Sequence, residues 1–226
     1  MSTAAVSWTG GKDSALALYD AEMLGCRIDC LVTFAPRQGR FLAHPLGFMV
    51  FQAQALGLPH YVIDVEEPFD RSYEDAISSL KKRRGIDALV TGDVGEVADH
   101  DPNWIVDRSA RCGIDVLRPL WRRGGLELLN RLLSLKFKVI FSCVRKPWFT
   151  DEWLGLELSP SSVKRLSEIN KRTGLDLCGE QGEYHTLVLD GPQFRKSIQV
   201  GSYSKHVENS LAYVSLQNLR LREKHG

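Results

Sequence analysis

Ser7-Trp8-Thr9-Gly10-Gly11-Lys12-Asp13-Ser14 lies at the end of a candidate strand at residues 4–7 and opens a helix-length segment at residues 12–24. A strand feeding a helix through a glycine-rich turn is the start of a βαβ unit. Two adjacent glycines let the backbone turn tightly and bring its N–H groups close to a ligand. The helix N-terminus behind them supplies orphan donors and a partial positive charge, which suits an anion such as phosphate. Ser7, Thr9 and Ser14 add hydroxyls, and Lys12 adds a compact cation. The residue order departs from two commoner loops. A Walker A loop needs four residues between its glycines and a hydroxyl directly after the lysine, and a dinucleotide fingerprint needs G-x-G-x-x-G. Asp13 would repel a phosphate unless it held backbone amides or a metal ion. The alternative is a solvated strand-to-helix turn in which Asp13 favours the first helical turn.

Outward from this loop, strand-like runs recur at residues 28–34, 60–65, 88–91 and 114–117, separated by helix-like segments at 48–56, 72–84 and 102–112. Strands alternating with helices of this length predict a mostly parallel sheet. Asp101 is expected to cap the last of these helices, with Pro102 at its first position and Gly113 as its left-handed stop. The pattern pauses at Arg122-Arg123-Gly124-Gly125, which places a domain boundary there. Beyond it a helix is predicted at 126–136, with Leu126, Leu129, Leu132 and Leu133 on one face, then a strand at 137–144. Ser159-Pro160 opens another helix that runs to 172 and stops at Gly174. The rest reads as β: residues 183–189, 196–200 and a long stretch at 212–221.

The chain has 226 residues, a prior of roughly one and a half domains. With 43% hydrophobic and 25% charged residues it matches soluble globular proteins rather than disordered or fibrous ones. The 29 basic and 28 acidic residues leave a net charge of +1, which disfavours nucleic acid as the main partner. No apolar run approaches the ~20 residues of a spanning helix, and no signal peptide is visible. Five scattered cysteines without a C-x-x-C read as reduced thiols in a cytoplasmic protein.

T-G-G-K-D-S resembles the S-G-G-x-D-S loop of the N-type ATP pyrophosphatases, the PP-loop superfamily, with Thr9 replacing the first serine. The resemblance implies that Ser7, Thr9, Gly10, Gly11, Lys12, Asp13 and Ser14 hold the phosphates of ATP. It also implies that ATP is cut between its α- and β-phosphates, and that Gly92 and Asp93, after the fourth strand, face the nucleotide or its Mg2+.

A second constellation, Glu180-Gln181-Gly182-Glu183-Tyr184-His185-Thr186, precedes Asp190-Gly191-Pro192. Alternation from a strand start at Glu183 would put Glu183 and His185 on one face and Tyr184 and Thr186 on the other. On its own physics the pair of acids could hold a metal or orient an amine, or it could be a polar hairpin entry. E-x-G-E-Y-x-T followed by V-x-D-G-P-x-F is similar to the C-terminal signature of the diphthine–ammonia ligase family, E-G-G-E-[YF]-E-T. Pro119-Leu120-Trp121 and Trp153-Leu154-Gly155 also match that family, so the similarity covers essentially the whole chain. Gln181 and His185 depart from its pattern. With His100 and Trp104, they look more like a bacterial-type branch, for which diphthine itself would not be the substrate.

The resemblance implies an α/β protein: a Rossmann-like (HUP-type) five-stranded parallel sheet at 1–123 binding ATP, and a smaller C-terminal α/β domain at 124–226 binding substrate. It implies a ligase that adenylates a small-molecule or protein-borne carboxylic acid and transfers ammonia to it. Lys12, Asp13, Glu180 and Glu183 are the expected catalytic residues; Glu183 would accept a proton from ammonium or hold it, and Glu180 would share that role. His44, His100, Gly182, Glu183, Tyr184, His185 and Thr186 would face the substrate. No metal-ligating set of side chains is expected, since no two histidines stand at a zinc-like spacing. Neither nucleic acid nor membrane is expected as a partner, and a homodimer is left open. The rivals are a PP-loop tRNA-modifying enzyme, which would need catalytic cysteines or a basic docking domain, and a non-catalytic ATP-binding sensor.

Overall fold

Ala4, Ala5 and Val6, all fully buried, make β1 (Thr3–Ser7) the central strand of a five-stranded sheet. The computed structural model describes residues 2–37, 39, 41–96, 101 and 103–224. Around β1 lie β2 (Arg27–Pro36), β3 (His60–Val65), β4 (Ala88–Val90) and β5 (Asp115–Leu117), in the order β3-β2-β1-β4-β5 with every pairing parallel. This is the Rossmann-like α/β sheet that the alternating pattern predicts. Its inner strands β1 and β4 are buried, so they read as continuous apolar runs rather than as alternating ones. One core cluster joins Ala5, Cys30, Val32 and Leu89 of the sheet to Ile77, Leu80, Ile86 and Ile114.

The helices of this first unit are α1 (Lys12–Met23), α3 (Phe69–Arg84) and α4 (Trp104–Arg111). α4 starts later than expected. The Asp101 side chain accepts from the Asn103 amide at 2.9 Å and its carbonyl accepts from Trp104, so Asp101 shapes a turn ahead of the helix, with Asn103 at the cap. Pro102 lies outside the described residues. Gly113 has the left-handed φ of +66° expected of a stop.

The second unit contains α2 (Leu46–Leu56), α5 (Gly125–Ser134), α6 (Pro160–Thr173) and a four-stranded antiparallel sheet. Its strands are β6 (Lys138–Arg145), β7 (Tyr184–Asp190), β9 (Ser202–Glu208) and β10 (Leu211–Gln217), in the order β7-β6-β10-β9. β8 (Lys196–Gln199) and β11 (Arg220–Glu223) pair separately. The second unit takes the chain from Arg122 onward and also includes Gly10–Lys12 and Phe41–Gly57.

α6 has the ends read from sequence: Ser159 and Ser162 form a reciprocal capping box, Pro160 stands in the first turn, and Gly174 closes it at φ 74°. α5 differs. Its buried residues are Leu128, Leu129 and Leu132, while Leu126 is 45% exposed. The helix begins at Gly125, and 125, 128, 129 and 132 form the i, i+3, i+4, i+7 stripe, so Leu126 falls on its flank. Gly125 itself lies close under Leu177 and Cys178. The expected last strand at 212–221 is two strands, broken near Asn218, whose φ is +55°. No disulfide joins the five cysteines, and no described helix is long and apolar enough to cross a membrane.

Candidate active site

β1 and β4 are adjacent and their following segments meet. This is where the strand order reverses, and open parallel sheets bind ligands at the carboxyl ends of strands flanking such a point. Gly92, just past β4, lies against the start of α1: a Cβ there would stand 2.7 Å from the Ser14 nitrogen and 2.8 Å from the Asp13 carbonyl carbon. Only glycine fits such an approach of two backbones. The Thr9 hydroxyl donates to Ser14 Oγ at 3.2 Å, and the Thr91 hydroxyl donates to Asp93 at 2.7 Å, fixing a carboxylate beside Gly92. Ser7, Asp13 and Asp93 are half-buried, and Ser14 is buried.

Gly10, Gly11 and Lys12 are held in the second unit. The Gly10 carbonyl accepts from the Val188 amide at 3.0 Å and from Gln52 Nε2 at 2.8 Å. A trans peptide points its carbonyl and N–H in opposite directions, so this double anchor aims the Gly11 N–H away from Val188. Gly10 takes φ +76°, and a Cβ on it would collide with Gln52. Gln52, fully buried in the apolar stripe of α2 formed by Met49, Gln52, Ala53 and Leu56, also donates to the Val188 carbonyl at 2.9 Å. Sequence reasoning missed Gln52; its signal is a lone amide at a core position of an otherwise apolar helix.

Lys12 is 2% exposed and binds the second motif rather than solvent. Its backbone N–H donates to Thr186 Oγ1 at 3.1 Å, its ammonium donates to the Cys178 carbonyl at 2.5 Å, and the ammonium lies 5.0 Å from the centroid of the Tyr184 ring. Tyr184 packs with Phe141 and Phe149 in an aromatic cluster that includes Trp153, so the expected Trp153-Leu154-Gly155 match is part of the core.

The segment 176–184 is a self-bonded loop. Asp176 Oδ1 accepts from the Cys178 and Glu180 amides at 2.8 and 3.2 Å. Glu183, 3% exposed, accepts from the Asp176 amide with Oε1 and from the Gln181 amide with Oε2, both at 3.0 Å. The Tyr184 hydroxyl donates to the Leu177 carbonyl at 2.6 Å. Gly179 and Gly182 take φ +76° and +77°. Glu180 is half-buried on this loop. The strand starts at Tyr184, one residue later than expected.

His185, on β7, faces His44, with Nε2 of His44 3.2 Å from Nδ1 of His185. Burial first, then the Lys12 and Arg145 charges, push His185 from 6.5 down to about 4. The ring is therefore neutral at pH 7, as one donor and one acceptor between two imidazoles require. An unfolded chain takes up this proton near the ordinary value and the folded one only near the lowered value, so the unfolded state binds more protons between them. The stabilisation present above the ordinary value is lost as pH falls through this window, by up to about 3 kcal/mol. His185→Gln is expected to flatten the acid decline of the urea midpoint between pH 6.5 and about 4, relative to the parent chain.

His100 lies outside the described residues. Among the described residues no group of three or more His, Cys, Asp or Glu side chains could hold a metal ion.

Two family profiles match the chain in order: the diphthamide synthase N-terminal domain over residues 1–113 and the diphthamide synthase C-terminal domain over residues 125–221. A diphthine–ammonia ligase of Homo sapiens is 24% identical over 96% of this chain and 90% of its own length. One of Danio rerio is 26% identical over 96% and 93%. A solved structure described as a predicted subunit of tRNA methyltransferase from Methanocaldococcus jannaschii is 18% identical, covers 85% of this chain and 98% of that one, and has a TM-score of 0.46. With both halves matched over nearly their whole length, the chain belongs to the diphthamide synthase family, ATP-dependent ligases that form C–N bonds.

Proposed function

We propose that this protein adenylates a carboxylic acid with ATP and releases the acid as its amide by transfer of ammonia. The observation that carries the reading is the attachment of Gly10–Lys12 to the Glu180–Thr186 motif through Val188, Thr186 and Cys178. Two motifs joined by bonds across 166 and 174 positions of the sequence are thereby built as one unit. The glycines fit a tightly turned loop: a Cβ on Gly10 would meet Gln52 and one on Gly92 would meet the first turn of α1, so both segments pack closer than a side chain allows.

Ser7, Thr9, Gly10, Gly11, Asp13 and Ser14 hold the phosphates, and Asp93 faces the nucleotide or the Mg2+ that accompanies it. The acid's oxygen attacks the α-phosphorus and pyrophosphate leaves. Lys12, fixed by Cys178 and Tyr184, supplies a preorganised positive field to that leaving charge. Ammonia then attacks the acyl carbon and AMP leaves. Glu180 accepts the proton released from the ammonium; Glu183 holds the loop that carries Glu180 and presents its remaining lone pairs to the amine. Diphthine, the substrate named for the relatives, is one candidate acid. Gln181 and His185 mark a motif that differs from the ligase signature and favour another acid, as a bacterial-type branch would require.

Incubation with ATP tests the scheme. Over many turnovers AMP and pyrophosphate are expected in equal amounts, and sustained turnover only when acid and ammonia are both present. Appearance of ADP overturns the reading, and ATP retained uncleaved with every acid supplied favours a sensor.

A further inference from the structure

Arg145 closes β6 and belongs to neither motif. Its backbone N–H donates to the Glu183 carbonyl at 2.9 Å. The strand register pairs Cys143 with His185, so alternation sets Arg145 on the same sheet face as His185. Its guanidinium lies beside the motif's glycine: a Cβ on Gly182 would stand 3.5 Å from Nη2. The charge is felt locally, since it is among the causes that keep His185 neutral.

Nε of Arg145 is buried without a hydrogen-bond partner. Among the described residues no carboxylate pairs with the guanidinium either. The acid opposite it in the register, Glu183, already turns both oxygens to the amides of Asp176 and Gln181. A half-buried cation left without an anion is costly to a fold, which normally pairs such charges. The planar fork of a guanidinium matches a carboxylate in bidentate fashion. We infer that Arg145 docks the carboxylate of the acid substrate, in the fork of its guanidinium beside Gly182 and His185. This rests on the ligase reading above, and makes Arg145 a specificity-determining residue that selects an anionic substrate.

Titration calorimetry with sodium butyrate and butyramide tests the assignment on the parent chain and on Arg145→Gln and Arg145→Lys. The parent is expected to bind butyrate and not butyramide. Arg145→Gln should weaken butyrate at least tenfold, Arg145→Lys less, and ATP affinity should stay within twofold. Unchanged butyrate binding in Arg145→Gln overturns the inference. So does a parent that prefers none of butyrate, benzoate or succinate to its amide, and so does loss of ATP affinity, which would assign Arg145 to the nucleotide. Phenylglyoxal labelling of the parent chain needs no variant to fold: butyrate should slow modification of Arg145 at least fivefold and leave exposed Arg83 unaffected. Equal labelling of Arg145 with and without butyrate also overturns it. The ligase reading fails separately, on ADP release, whatever Arg145 binds.

Discussion

Gly92→Ala is expected to abolish ATP turnover and to lower stability by about 1–3 kcal/mol, the usual range for overpacking. The added methyl would stand 2.7 Å from the Ser14 nitrogen and 2.8 Å from the Asp13 carbonyl carbon. Both are backbone atoms of the first turn of α1, so neither can swing aside as a side chain would. Relief has to come from moving β4's exit away from the turn that carries Asp13 and Ser14, and that movement displaces the proposed phosphate contacts. Gly95 provides the control: a Cβ there meets nothing within 4 Å. Gly95→Ala should keep turnover and change stability by less than about 0.5 kcal/mol. Urea midpoints and AMP release from the two variants read both effects.

Glu183→Ala should be the more damaging change, costing about 2–4 kcal/mol, because amides that lose a charged acceptor in a buried setting are not compensated by water. The amides of Asp176 and Gln181 are the two groups left without an acceptor. The loop they belong to also receives the Lys12 ammonium at the Cys178 carbonyl, so its loosening frees the tether on the glycine pair. Glu183→Gln keeps one acceptor oxygen but faces the other amide with an NH2 group, and should fall between the parent and alanine. Glu180→Ala distinguishes scaffold from chemistry. Alanine at 180 keeps the backbone N–H that bonds Asp176. Glu180→Ala should therefore lose less of the parent's urea midpoint than Glu183→Ala, and lose amide formation. Equal destabilisation by both alanine variants would contradict this division of labour.

The parallel sheet was legible because its inner strands are apolar runs and the strand spacing leaves room for one helix each; β3, rich in β-branched residues, was predicted to the residue. α6 was legible through local chemistry at its ends, Ser159, Pro160 and Gly174. β9 was not, since five of its seven residues are exposed and Ser-Tyr-Ser-Lys-His-Val-Glu has no apolar face to detect. The break between β10 and β11 depends on one asparagine adopting a left-handed conformation, a preference that sequence alone states only weakly. Within the candidate site, both motifs were visible as residue strings. The direction of Lys12 was not: a lysine in a phosphate loop reads as a ligand-facing cation, and its attachment to Cys178 is a tertiary contact between positions 166 apart. Gln52 and Arg145 escaped for a similar reason. Their roles come from what surrounds them, an anchored carbonyl in one case and a missing acidic partner in the other.

The assignment of Gly10–Lys12 and Phe41–Gly57 to the later unit means that the polypeptide crosses the dividing line repeatedly before Trp121. A fragment cut out at residue 122 would lack the helix that contributes Gln52 and the tripeptide whose carbonyl receives Val188. Homologous recombination at the apparent midpoint would thus join mismatched parts. A chimera of two relatives must transplant both early inserts along with the C-terminal stretch, which ties the inheritance of one motif to that of the other.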